Sequence, residues 1–222
     1  EEEVRKRSEE QAARRLAASA DVVIENYKVG GLAKYRLDPA ALRAADPRLI
    51  YCSITGFGQD GPYARRAGYD FLAQGMGGIM SITGNEGQPP ARVGMSIGDM
   101  GAGLYTAVAV NAALLHREKT GESTKVDIAM FDCQLALLEN AIMRYTVEGE
   151  IPGPLGARHP TITPFQAFKT KDGSMIIAAG NDNLFVKTCD ALGLTGLTSS
   201  PDYKTNALRL KHHHQLEHAI ES

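Results

Sequence analysis

The residue with the most chemical promise is Asp99, in the stretch SIGDMGAGLYTA. Aspartate at a helix start has an ordinary structural use, because it caps helix N-termini well. It also has a chemical use. The helix dipole favours the ionised form by about 0.3–1 kcal/mol, less than one pKa unit. Glycines at 98, 101 and 103 leave room for a bulky ligand. An ionised, accessible carboxylate in such a place can act as a nucleophile.

A second candidate is TGFGQDGPY, where Gly56, Gly58 and Gly61 spell G-x-G-x-x-G after the strand-like LIYCSIT. A dinucleotide fingerprint needs the last glycine to open a helix, and an acid about 20 residues on at the end of a second strand. Here Pro62 follows Gly61 directly, and PYARRAGYD has no helical apolar face. Ser81 and Gly84 stand where the acid should be, and the nearest acid, Glu86, lies in a turn. The loop is expected to be part of a site, because α/β proteins bind ligands at the carboxyl ends of parallel strands. It is not expected to be a nucleotide fingerprint. His212, His213, His214 and His218 suggest a metal, but no carboxylate or cysteine partner completes a ligand set, so none is expected.

The chain around these residues has 222 residues, a net charge of −2 and 43% hydrophobic residues, which is enough for a sizeable core. It has no basic patch suited to nucleic acid and no apolar run long enough to span a bilayer. Cys52, Cys133 and Cys189 are far apart, odd in number and set in apolar runs. They read as reduced core residues in a reducing compartment, the cytoplasm or, in a eukaryote, the mitochondrial matrix.

The elements that must carry the site alternate in type. Residues 8–19 predict a helix, DVVIENY (21–27) a buried strand, DPAALRAADP a helix begun by Asp38-Pro39, and RLIYCSI (48–54) a second strand. GYDFLAQGMGGIMSITG reads as one helix. DMGAGLYTAVAVNAALLHREKTG reads as a long helix from Asp99 to Gly121, KVDIAMF as a strand, and DCQLALLENAIMRYTVEGE as one long helix. GEIPGPLGARHPTITP is the best linker, which sets a boundary between 1–148 and 149–222. FQAFKTKDGSMIIAAG reads as a hairpin about Lys171-Asp172-Gly173. DNLFVKTCDALGL reads as a helix, and YKTNALRLKHHHQLEHAIES as a final amphipathic helix. The order implies an α/β protein.

Five stretches in consistent order resemble the class III coenzyme A transferases, the formyl-CoA transferase and carnitine CoA-transferase family. They are ADVVIENYKVGGL, YCSITGFGQDGPYARRAGYDFLAQGMGGIMSITG, GDMGAGLYTAVAVNAALLHREKTG, KVDIAMFDCQ and RHPTITPFQAFKTKDG. The resemblance implies a Rossmann-like parallel sheet with helices on both faces plus a smaller α+β domain, in an interlocked homodimer. Family members are longer, so it also implies a chain incomplete at both ends.

By position, Asp99 matches the family's catalytic aspartate. Asn26 and Tyr27 match residues that contact coenzyme A at a strand end. Lys34 and Tyr35 flank the nucleotide, with Lys34 standing where many relatives have Arg, which removes the bidentate fork. Arg66 in the signature loop joins the coenzyme A contacts. Tyr69 and Asp70 line the thioester end, and Arg158 and His159 are placed to hold a substrate carboxylate.

The implied reaction moves coenzyme A from an acyl-CoA, with succinyl-CoA the closest flavour, to a carboxylic and in particular a dicarboxylic acid. It proceeds through an aspartyl anhydride and an aspartyl-CoA thioester, with no metal or tightly bound cofactor. Two alternatives stand beside it. One is the α-methylacyl-CoA racemase branch, which needs a His base where this chain has Tyr69, a phenol with an ordinary pKa near 10. The other is an inactive coenzyme A-binding fragment.

Overall fold

A computed structural model describes residues 2–222, which form two compact units. The first runs to Thr83 and resumes at Pro90–Pro152; the second is Gly84–Pro89 with Gly153–Ser222. The sequence places one boundary near residue 149. The excursion Gly84–Pro89 instead joins the second unit, where the Gly156 N–H donates to Gly84 O at 2.8 Å. Glu1 lies outside the described residues.

In the first unit α1 (Glu2–Ala17) leads to β1 (Val22–Glu25), α2 (Pro39–Ala45) and β2 (Ile50–Thr55). Asp38 caps α2, its Oδ1 accepting from the N–H groups of Ala40 and Ala41. Then come α3 (Asp70–Met76), α4 (Ile97–Thr120), β3 (Lys125–Ala129), α5 (Met130–Ala136) and α6 (Asn140–Met143). The strands form a parallel sheet in the order β1-β2-β3. Successive residues of the central strand face opposite layers. Ile50 and Cys52 pack with Ala102 and Ala113 of α4, whereas Tyr51, with Leu49 just before the strand, packs with Ala17 of α1 and Leu42 of α2. Helices therefore cover both faces, and β2 is a continuous apolar run. Cys52 is buried, which pushes its thiol up to about 11 and keeps it protonated at neutral pH.

Two expected helices of this unit are shorter than the sequence suggests. GYDFLAQGMGGIMSITG is helical only through Met76, because Gly78 adopts φ +88°. The long helix after β3 begins two residues early, stops at Ala136, and turns at Glu139, whose φ is +51°. The apolar periodicity continues through both breaks, so only the backbone reveals them.

The second unit holds an antiparallel hairpin of β4 (Phe165–Thr170) and β5 (Gly173–Ala178), then α7 (Asp182–Leu192), α8 (Thr195–Ser199), α9 (Asn206–Lys211) and α10 (His213–Glu221). The expected single final helix breaks at His212. Arg209 is fully buried here. It donates to Thr163 O at 2.8 Å, Tyr203 O at 3.0 Å and Asp182 Oδ1 at 2.7 Å, and stacks on Phe185.

Candidate active site

Parallel pairing puts the carboxyl ends of all three strands on one edge, and the loops leaving that edge carry most of the candidate residues. The glycine loop follows β2. A Cβ on Gly56 would lie 2.3 Å from Gly68 Cα, so the loop's two ends cross backbone on backbone. Gly58 and Gly61 turn at φ +83° and +91°. No helix opens after Gly61, and α3 waits until Asp70. These glycines shape a closed loop, not a pyrophosphate cradle. Phe57 packs between Tyr63 and Phe131, and the Arg66 guanidinium lies 4.0 Å over the Tyr63 ring.

α4 carries Asp99 to the same edge. Near its other end, Arg117 bonds the carbonyls of Asp21 and Arg48, at the amino ends of β1 and β2. A helix of 24 residues is ~36 Å long, so its first turn reaches the carboxyl edge. The helix begins at Ile97, two residues before the expected start, so Asp99 sits inside the first turn and does not cap it. Ser96, at the cap position, makes no side-chain capping bond. Asp70 does that work from α3, its Oδ1 accepting from the Gly98 N–H at 2.8 Å.

Asp70 is itself held. Its Oδ2 accepts from Gln74 Nε2 at 2.8 Å. Fully buried Gln74 also bonds Met95 O and accepts from the Val93 N–H, which anchors the segment entering α4. Asp99 remains exposed, with Met100 and Leu104 exposed beside it. Gly103, one turn along the same face, has open space where a side chain would be. The Asp99 pKa is raised, first by partial burial and then by the like charge of Asp70. The dipole of the helix start pulls the other way.

The other expected coenzyme A contacts lie in the same unit. Asn26 and Tyr27 leave the end of β1 exposed, with the Tyr27 N–H donating to Glu25 Oε2. Lys34 stands 4.6 Å over the ring of Tyr35. Tyr69 precedes α3 and is exposed. Arg158 and His159 belong to the second unit and diverge. Arg158 lines a cavity of about 430 Å³ with Glu86, Lys169 and His213. His159 packs 5.3 Å from Phe165 and accepts from the Thr161 N–H. Among the described residues, no group of three or more His, Cys, Asp or Glu converges as a metal site.

Sequence reading misses Gln74 and Gln134. Both are fully buried, and both occupy apolar positions of helical patterns, in DFLAQGM and DCQLALL. An amide at a core position is the signal that could have found them.

The chain matches the family description "CoA-transferase family III" over residues 3–222. It is 48% identical over 199 residues to a succinate–glutarate CoA-transferase of Agrobacterium fabrum, covering 90% of this chain and 50% of that protein. It is 40% identical to the human succinyl-CoA:glutarate CoA-transferase, covering 90% and 46%. A crystal structure of a CaiB/BaiF family protein from Brucella suis superposes with a TM-score of 0.82 at 46% identity, over 96% of this chain and 56% of that one. A hypothetical protein from Mycobacterium tuberculosis gives 0.84 at 30% identity, over 96% and 57%. The chain thus spans about half the length of the curated relatives it matches. A match running through nearly every described residue, on the same fold, means that this chain belongs to family III of the CoA-transferases.

Proposed function

We propose that this chain carries the nucleophile and part of the coenzyme A site of a CoA-transferase that moves coenzyme A from succinyl-CoA to a dicarboxylic acid such as glutarate. The observation that carries the reading is Asp99. It is an accessible carboxylate at the carboxyl edge of the sheet, on a helix start capped by a second carboxylate. The names of the relatives support the choice of donor and acceptor.

In this reading an Asp99 oxygen attacks the thioester carbonyl, the C–S bond breaks, and a mixed anhydride and coenzyme A thiolate result. The thiolate attacks the Asp99 carbonyl, releasing succinate and leaving an aspartyl-CoA thioester. The acceptor carboxylate attacks that thioester and expels the thiolate, which then attacks the acyl carbonyl of the new anhydride. This frees acyl-CoA and the Asp99 carboxylate. Charge is conserved at each step, and no proton is lost. The anhydride hydrolyses readily, so water must be kept from it. Attack needs Asp99 ionised, and a carboxylate with a raised pKa is the better nucleophile where it is ionised.

Asn26, Tyr27, Lys34, Tyr35, Arg66 and Tyr69 are the proposed coenzyme A contacts. Of the second unit's pair, Arg158 is the proposed contact to a substrate carboxylate, since it lines the cavity and His159 packs on Phe165. The reading includes a homodimer, which sedimentation would test. The deciding experiment incubates the protein with succinyl-CoA and glutarate beside an Asp99→Ala variant and looks for glutaryl-CoA by mass spectrometry. Product from the parent alone is expected; equal product from the variant would remove Asp99 from its role.

A further inference from the structure

Gln134 is fully buried, and neither its Oε1 nor its Nε2 has a hydrogen-bond partner. Native proteins keep few such groups, because an unpaired buried amide is costly. Its surroundings are specific. Gln134 stands on α5 against two glycines. A Cβ at Gly77 would lie 2.7 Å from its Cγ, and a Cβ at Gly98 would lie 3.0 Å from its Oε1. That same point beside Gly98 is 3.0 Å from Asp70 Oδ1. Two acceptor oxygens thus close on one spot, the flank of the residue that precedes Asp99.

A half-turn about the last side-chain bond of Gln134 exchanges its oxygen for its NH2 with no change of shape. The NH2 then takes the oxygen's place beside the spot that the Asp70 carboxylate also borders. Asp70 already accepts from Gly98 and Gln74, and a carboxylate has about four acceptor sites, so a third donor fits.

We propose that Gln134 is a positioning residue, whose amide donates to the Asp70 carboxylate and so holds the α4 turn that carries Asp99. It does not touch substrate. The alternative is a wedge that only fills space between Gly77 and Gly98. The kinetic consequence rests on the transferase reading; the contact itself does not.

The test uses the full chain. The Gln134 side-chain NH2 signals are assigned by their loss in Gln134→Met, or in the isosteric Gln134→Glu if the Met variant does not fold. The ionisable groups on the elements around the amide are Asp70 of α3, Asp99, Tyr105, His116, Arg117, Glu118 and Lys119 of α4, and Asp132 and Cys133 of α5. Of these only Asp70 is among the three atoms nearest the shared spot, with Gln134 and Met130. The NH2 signals are expected to shift in Asp70→Asn and to stay in place in Asp132→Asn. Signals unmoved by Asp70→Asn, or moved equally by Asp132→Asn, would overturn the proposal. With succinyl-CoA and glutarate, Gln134→Met is expected to lower kcat about tenfold with little change in KM; an unchanged kcat would overturn the positioning role. If the parent makes no product while the NH2 signals follow Asp70, the transferase reading fails and the contact stands.

Discussion

Asp99 sits where opposing effects meet. Partial burial and then the Asp70 carboxylate disfavour its charged form, against the pull of the helix start. A carboxyl whose pKa is raised by folding penalises the fold wherever it must be ionised, and the penalty vanishes below the unfolded value near 3.9. Asp99→Asn is therefore expected to melt higher than the parent at pH 7 and to lose that advantage as pH falls toward 3. On the proposed transferase reading it should also lose activity by a factor on the order of 10⁴–10⁶, the scale of removing a covalent nucleophile. Melting curves at the two pH values and steady-state rates check both halves. Asp70→Asn should shift the Asp99 titration to lower pH, because the nearby like charge is gone. Carboxyl ¹³C NMR reads this directly. The same change sets an amide NH2 against Gln74 Nε2, at a stability cost of about 1–3 kcal/mol.

Glycines at the element scale do two different jobs. Gly56 permits a backbone crossing, and no side-chain shift can make room for a Cβ that lands on Gly68 Cα. Gly56→Ala is expected to cost about 1–3 kcal/mol by overpacking, seen as a lower denaturation midpoint. Gly98 meets only side chains at 3.0–3.3 Å, those of Asp70, Gln134 and Met130. A helical Gly→Ala change gains up to about 1 kcal/mol in propensity, which offsets much of the local strain. Gly98→Ala is thus expected to change stability little and kcat severalfold, because the side chains that must yield hold the Asp99 turn. Pattern alone identified the long helix through Gly121, which carries Asp99, and the β-branched run of the central strand. It overran the helix ends at Gly78, Glu139 and His212, because apolar spacing records which face is buried and not where the backbone turns.

Each of the two compact units has its own core, and the second depends on a buried cation. Arg209 satisfies two backbone carbonyls and the Asp182 carboxylate at once. Arg209→Met would orphan the carbonyls, and is expected to destabilise that unit by about 3–5 kcal/mol. Arg209→Lys should recover little, because an ammonium cannot present the guanidinium's planar fork to three acceptors. Hydrogen exchange at the amides of β4, α7 and α9 would show the loss. The linker composition near residue 149 marks where the chain changes character. It gives no hint that Gly84–Pro89 belongs with the later unit, since that grouping rests on long-range contacts such as Gly156 to Gly84.

Local chemistry in the chain determined the alternating element types, the burial of the cysteines, the rejection of the glycine loop as a nucleotide fingerprint, and Asp99 as the residue to watch. Each depends on neighbours within a few positions, or on a motif written contiguously. Only the tertiary structure decided that Asp70 caps the Asp99 helix, that buried Gln74 and Gln134 stand behind it, and that Arg158 and His159 part company. Those relations join residues tens of positions apart through single hydrogen bonds and single ångströms of clearance. Neither composition nor periodicity carries information at that distance.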